Sequence, residues 1–469
     1  MLGQSFTHVR FTMRRYVQRA GLVLVLLGLL GACSDSDYQP PAELDLDVTR
    51  ATLSNGLEVV AVPNHESPIV TALVTFRAGA FAETAEQSGY SHLLEHMLFA
   101  GCESVPDPVE MQDKLAALGI SYNATTARDR VNYFYSMASD RLEPALELLS
   151  DSLRAPTLQA ETLKRETAAV LAEFDLNDSN WDSVTRRHAF ELLFDAFPNR
   201  TDALGRREAI ERVTPQALRA MHDTYYVPNN AQLVLVGDVV ASDGLKLAKR
   251  YFGSWKRAED PFAAHPVPEN PALSRTATDV LTGKIKESRL LVAYQGPSTD
   301  TDFRGAVAAD VLARLSVLGN QEFRKLISPP EVIGGRIWHW PSRHKGVIAL
   351  ELYIGTGYEG SAIASLELMR DYVDHISDSE LTAAKDALWT GRLRVASANL
   401  PLALQFSDDW ALFGGSDPHA YLEALYAIGP DDLARLFQRY ISARPRAGVL
   451  LTDPEHAERD LTQELENAW

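Results

Sequence analysis

The sequence predicts an α+β protein of two related halves, each an antiparallel or mixed sheet with helices packed on it. Three observations carry that reading. Strand-like and helix-like runs alternate without the rhythm of a βαβ array. A short polar segment crowded with Pro261, Pro266, Pro268 and Pro271 divides the chain. One pattern also occurs twice: Pro215, Leu218, Met221, Tyr225 and Asp238 are matched by Pro430, Leu433, Leu436, Tyr440 and Asp453, each 215 positions on. A Pro-started helix leading into a strand is common, but a constant offset at five positions marks a duplication. The expected divisions are a targeting segment over 1–33, a tether over 34–46, a first domain over 47–255, a linker over 256–275 and a second domain over 276–469.

The first segment is positively charged and then apolar. Arg10, Arg14, Arg15 and Arg19 precede a run over 20–30 that is too short to span a bilayer comfortably. Met13 would serve as a start as well as Met1. The run ends in Leu30-Gly31-Ala32-Cys33, which is similar to a bacterial lipoprotein cleavage box. That resemblance implies cleavage before Cys33, lipidation of its thiol, and anchoring in a bacterial cell envelope. Ser34 in the next position favours the outer membrane, facing the periplasm. The alternative is an ordinary secretory signal or a short membrane anchor. With Cys33 lipidated, Cys102 is left alone and no intramolecular disulfide can form.

The first domain then opens on two strand-like runs around an Asn55-Gly56 turn. A strand is expected over 69–76, a helix over about 89–99 stopped by Gly101, and a short helix over 111–118 ending at Gly119. Strands over 121–127 and 131–138 and long helices over about 140–154 and 159–176 follow. Past the linker the pattern predicts a strand over 289–294, a helix over 303–318, a strand over 347–354, and helices over 360–375 and 379–397.

Composition narrows the partners. Hydrophobic residues make up 46% and charged residues 23% of 469, the profile of a folded soluble protein with two or three domains. The formal charge is −18 although the first 33 residues hold four Arg and no acid, so the remainder is still more acidic. Such a surface argues against nucleic acid or anionic lipid as the main partner.

Chemistry concentrates in Ser88-Gly89-Tyr90-Ser91-His92-Leu93-Leu94-Glu95-His96-Met97. On a helix His92 and His96 share a face, so two imidazoles can point at one ion, and Glu95 lies beside that face. Two His do not complete a catalytic zinc site, which takes three protein ligands and a water. In so acidic a chain many residues could be the third. Glu166 and Glu173, seven apart on one predicted helix, stand out without being decisive.

With these residues in view, the chain resembles the pitrilysin/insulinase family. His92-x-x-Glu95-His96 is the family's inverted motif, with Glu173 lying 77 positions after His96 and Glu166 one heptad earlier. Leu53-Ser54-Asn55-Gly56-Leu57, Gly79, Gly101, Leu118-Gly119 leading to Asn123-Ala124-x-Thr126, and Tyr226-x-Pro228-x-Asn230 leading to Gly237-Asp238 agree with it. The resemblance implies one Zn²⁺ per chain held by His92, His96 and Glu173, with Glu95 as the base that activates a water. It implies Glu166 as a residue orienting a ligand or the metal helix. Asn123 would sit on the edge strand that receives an extended peptide. The activity implied is that of a zinc endopeptidase acting on peptides or unstructured segments, here at the periplasmic face.

The second half has no such motif; its counterpart helix offers Ala306, Val307, Ala308 and Ala309, as expected of a family that keeps one active half. Active members usually add an Arg…Tyr pair that holds the substrate. Arg324 can be the Arg, but no Tyr follows; Trp338 is the nearest aromatic, and Pro329-Pro330 disturbs the spacing. In two-subunit members the zinc motif and the Arg…Tyr pair lie on different chains. A dimer is therefore expected, with a related subunit carrying that pair or with a second copy in which Trp338 substitutes. The competing reading is a catalytically silent structural or peptide-binding subunit of an envelope complex. The presence of Glu95 argues against it, since a purely structural site needs no base.

Overall fold

The computed structural model describes residues 46–195, 199–329, 331–415, 418–457 and 461–468, all in the unit Leu44–Trp469. The segment expected to target the chain, with Cys33, the expected tether up to residue 45, and Pro330 lie outside the described residues. Among the described residues no helix is long and apolar enough to cross a membrane.

Two sheets form the framework. The first holds β1 (Thr49–Thr52), β2 (Glu58–Pro63), β3 (Ile69–Phe76), β4 (Ser121–Thr126), β5 (Val131–Ala138) and β6 (Ala231–Gly237), in the order β1-β2-β6-β3-β5-β4. The second holds β7 (Ala277–Thr282), β8 (Glu287–Gln295), β9 (Val332–Trp340), β10 (Val347–Gly355) and β11 (Ala447–Thr452), in the order β7-β11-β8-β10-β9. Remove β1 and the two orders are the same. The pairing matches too: β2 with β6 and β7 with β11 are parallel, and the other pairs are antiparallel. The repeat read from the 215-residue offset is thus a repeat of topology. β4 and β9 are equivalent edges, and the helices α1 (Tyr90–Leu98) and Phe303–Leu318 occupy equivalent connections.

Both faces of each sheet are covered, which is why β2, β3 and β6 read as nearly continuous apolar runs rather than alternating ones. Val59, Ala61, Val70, Ala72, Val74, Leu233 and Leu235 face one core, under α1, α2 (Pro108–Ala117), α3 (Leu142–Arg154) and α4 (Ala160–Asp178). The alternate residues Val60, Val62, Leu73, Val234 and Val236 face a second core made with Leu402, Ala403 and Phe406. Those three belong to the helix Asn399–Phe413, which comes from the far side of the linker. In return α5 (Trp181–Leu193) buries Ala189, Phe190 and Leu193 against Leu291, Ala293, Ala447 and Val449 of the second sheet. Each sheet is therefore closed by a helix from the other half of the sequence. Burying each of the Val, Leu and Phe side chains among them stabilises by roughly 1.5–3 kcal/mol.

Polar pins fix the exchanged helix. Thr75 Oγ1 donates to Ser407 Oγ at 2.8 Å, and Ser407 Oγ donates to Asn132 Oδ1 at 2.7 Å. Asn399 Nδ2 donates to the Ile69 carbonyl at 3.0 Å. Arg130 pairs with Asp408 at 2.6 Å.

Several elements differ from the sequence expectation. The helix expected over 360–375 is Glu359–Ser365 followed by a 3₁₀ turn, Leu366–Met369. β9 forms where Gly334-Gly335 weakens the strand signal, because β10 pairs with it along its length. β7, α5 and Asn399–Phe413 were not anticipated.

Candidate metal centre

α1 exists because Leu93, Leu94, Met97 and Leu98 are buried on one side, leaving His92, Glu95 and His96 half-buried on the other. The helix starts abruptly at Gly89, whose φ of 95° lies in the left-handed region, and Gly89 supplies no side-chain cap. Glu83 supplies it from six residues upstream. Its two carboxylate oxygens accept from Gly89 N–H at 2.7 Å and Ser91 N–H at 2.8 Å. Burial pushes the Glu83 carboxyl up to about 7, and the two backbone bonds pull against that shift.

α4 packs across α1 and is mainly polar; Thr162, Leu163, Val170 and Phe174 are its buried positions. Glu166 and Glu173 stand two turns apart on it. Glu173 Oε2 lies 3.5 Å from His92 Nε2, and Glu173 Oε1 lies 3.4 Å from His96 Nε2. One ligand atom from each of the three residues falls within 4.8 Å of the others, and no other such group occurs among the described residues. Zinc bonds of about 2.0–2.1 Å at tetrahedral angles separate donors by roughly 3.3–3.4 Å. The imidazole-to-carboxylate spacings are of that order but run to different oxygens, Oε2 toward His92 and Oε1 toward His96. The Glu173 carboxylate thus bridges the two imidazoles, and either oxygen could join the two nitrogens on a small tetrahedral dication.

The surroundings suit that use. Burial, and then the neighbouring His96, hold the His92 imidazolium down to about 4, so His92 is neutral and its lone pair is free near pH 7. Glu166 Oε2 lies 3.4 Å from His96 Nδ1, the ring nitrogen turned away from the convergence point. Arg165 Nε donates to Glu166 Oε1 at 3.0 Å. Glu166 thus stands behind His96 and does not join the converging donors. His92 Nδ1 is buried and has no hydrogen-bond partner among the described residues.

Glu95 is also apart from the donor group. Thr126 Oγ1, at the end of β4, donates to Glu95 Oε2. Burial raises the Glu95 carboxyl above the ordinary range, and the Thr126 bond and His96 partly offset this. A cavity of about 690 Å³ opens onto His92, Glu95, His96 and Glu173 and reaches Asn123 and the exposed Val109. Asn123 is exposed on β4, whose outer edge has no partner strand among the described residues. Its Oδ1 accepts from Ala124 N–H at 2.9 Å.

Arg324 and Trp338 lie elsewhere. Arg324 is exposed on the short helix Gln321–Leu326 and does not line this cavity. Trp338, on β9, is half-buried against the α5 cluster. Trp338 lies on the counterpart of the β4 edge, and neither residue lines the cavity at His92, Glu95, His96 and Glu173. Sequence reasoning missed Glu83 altogether and gave Thr126 no role. The available signal for Glu83 was an acid shortly before a helix that begins on glycine and has no Ser, Thr, Asp or Asn at its cap.

Comparison with known proteins bears on the family and the fold. The family model described as Insulinase (Peptidase family M16) matches residues 58–202, and that described as Peptidase M16 inactive domain matches 212–327, together more than half of the chain. The probable mitochondrial-processing peptidase subunit beta of Arabidopsis thaliana is 24% identical over 410 residues, 83% of this chain and 75% of that protein. The zinc protease PqqE of Helicobacter pylori is 27% identical over 299 residues, 63% of this chain and 65% of that protein. The crystal structure of a protease from Helicobacter pylori superposes with a TM-score of 0.77 at 20% identity, over 87% of this chain and 100% of that one; this likeness is one of fold.

Proposed function

On the premise that the chain belongs to the insulinase family of peptidases, Peptidase family M16, we propose that it is a zinc-dependent endopeptidase cutting peptides or unstructured segments. One observation carries this reading: His92, His96 and Glu173 converge while Glu95 stands beside them without joining. A purely structural metal site closes its fourth position and needs no free carboxylate.

In this reading His92, His96 and Glu173 hold the ion. Bound there, zinc would acidify a water and polarise the scissile carbonyl. Glu95, with its affinity for a proton raised by burial, takes the proton from the attacking water and returns it to the leaving amine. Thr126 fixes the Glu95 carboxylate toward the β4 side, where an extended peptide would add as a further strand beside Asn123. Glu166 orients His96 through Nδ1. The match of 212–327 to the family's inactive domain supports a second half without its own metal.

Purified protein should carry about one zinc per chain, lose peptide cleavage on chelation and regain it with one equivalent of zinc. Cleavage that survives complete chelation would sink the proposal. Zinc without cleavage, alone or with a co-expressed relative carrying the Arg…Tyr pair, would favour the silent subunit instead. The position of Arg324 away from the metal supports a working dimer, and the relative named as a subunit is consistent with a non-identical partner. Full activity of a strictly monomeric fraction in the same assay excludes the dimer.

We also propose that Cys33 anchors the chain in a bacterial envelope, at the outer membrane and facing the periplasm. Replacing Cys33 with Ser should remove the acyl group and release soluble, folded protein. A mature N-terminus found elsewhere, without lipid, would refute the anchor.

A further inference from the structure

The metal helix is short and is held from both ends. Its C-terminal turn is set by Met97 and Leu98 in the core. At its start, Ser91 Oγ donates to the Gly79 carbonyl at 3.1 Å, and Arg206 N–H donates to the Ser88 carbonyl at 3.4 Å. A Cβ on Gly205 would overlap the Gly89 backbone, so the loop following Asp202 lies directly on the helix entry. Glu83 closes this end from inside with both of its oxygens.

A carboxylate is a costly choice for a buried cap. Serine or asparagine would satisfy one N–H without desolvating a charge. Glu83 instead satisfies two backbone donors at once and, when ionised, places its negative charge at the positive end of the helix. His92 follows Ser91 directly, and His96 is one turn further on. Two of the three metal donors are thus rigidly tied to the turn that Glu83 holds, while the third, Glu173, arrives on a separate helix. A slip of α1 along its axis by even a fraction of its 1.5 Å rise per residue would spoil the donor spacing against Glu173.

We infer that Glu83 is a positioning residue for the metal site: its bonds to Gly89 and Ser91 set where His92 and His96 meet Glu173. The inference rests on the zinc reading above but acts on the chain itself. The other titratable groups that interact with Glu83 are Asp202, Tyr90, Tyr225 and Tyr226. None of these is a cation, so the two backbone N–H groups are what holds the carboxylate in place.

The test is Glu83→Gln, which keeps the shape but turns one acceptor into a donor aimed at an N–H. Glu83→Asp, which keeps the charge but shortens the reach, is the second variant should the first not fold. In metal-free protein, amide exchange over 88–98 should quicken at least tenfold in Glu83→Gln, and to a smaller extent in Glu83→Asp. Zinc affinity measured against a competing chelator should weaken by about 10–100-fold. kcat should fall with KM within about twofold. Exchange over 88–98 and zinc affinity both equal to those of the parent would overturn the inference and leave the peptidase reading intact. A uniform loss of stability with normal zinc affinity would reduce Glu83 to a fold residue and overturn it as well. A parent chain that takes no zinc would defeat the peptidase reading, while the exchange measurement would still decide the role of Glu83.

Discussion

Glu95→Gln is expected to keep its zinc and lose cleavage by about 10²–10⁴-fold, or roughly 3–5 kcal/mol of barrier. The geometry separates the two properties. Glu95 lies outside the converging donors and receives a hydrogen bond from Thr126. A glutamine oxygen accepts that same bond, so neither the helix nor the donor set is disturbed. What disappears is the proton acceptor. Zinc stoichiometry by atomic emission, alongside kcat/KM on an unstructured peptide, measures both. Loss of zinc in Glu95→Gln would mean that Glu95 ligates; cleavage within tenfold of the parent would mean that another group is the base.

The second large effect is expected on metal content. Glu173→Ala, His92→Ala and His96→Ala should each abolish stable zinc binding and activity, because two remaining protein donors fall short of the three that a catalytic zinc site takes. Glu166→Ala should be milder, with zinc held about 10–100-fold more weakly, since Glu166 reaches only the far nitrogen of His96. The comparison between the two glutamates discriminates. Glu173 is the more exposed, with 40% of its side chain accessible against 18% for Glu166, as suits a ligand facing an open cavity. Zinc retained in Glu173→Ala but lost in Glu166→Ala would exchange their assignments.

The sequence alone carried the metal helix, because a ligand pair four apart depends only on helical periodicity. Leu93, Leu94, Met97 and Leu98 declare the buried side, and His92, Glu95 and His96 then fall on the other. It also carried the duplication, since five positions at one offset became two sheets of matching strand order. The identity of the third donor was different. Glu173 is one acid among many, and it was singled out by resemblance; only the packing of α4 on α1 brings its oxygens to the two imidazoles.

Local pattern could not reveal the features that depend on distant partners. α5 and Asn399–Phe413 each carry an apolar face, but nothing in either segment says that the face will cover the sheet of the other half. β9 contains Gly334-Gly335 and became a strand because β10 offered a ladder. Glu83 sits in a short connection, where an acid is usually solvated, but in the folded chain it is buried and caps the helix at Gly89 and Ser91. Periodicity and composition encode which surface of an element is apolar and which ligands share a turn, because both are set within a few residues. Which surfaces meet, and so which carboxylate reaches the metal helix, is a long-range choice made by burial in the folded chain.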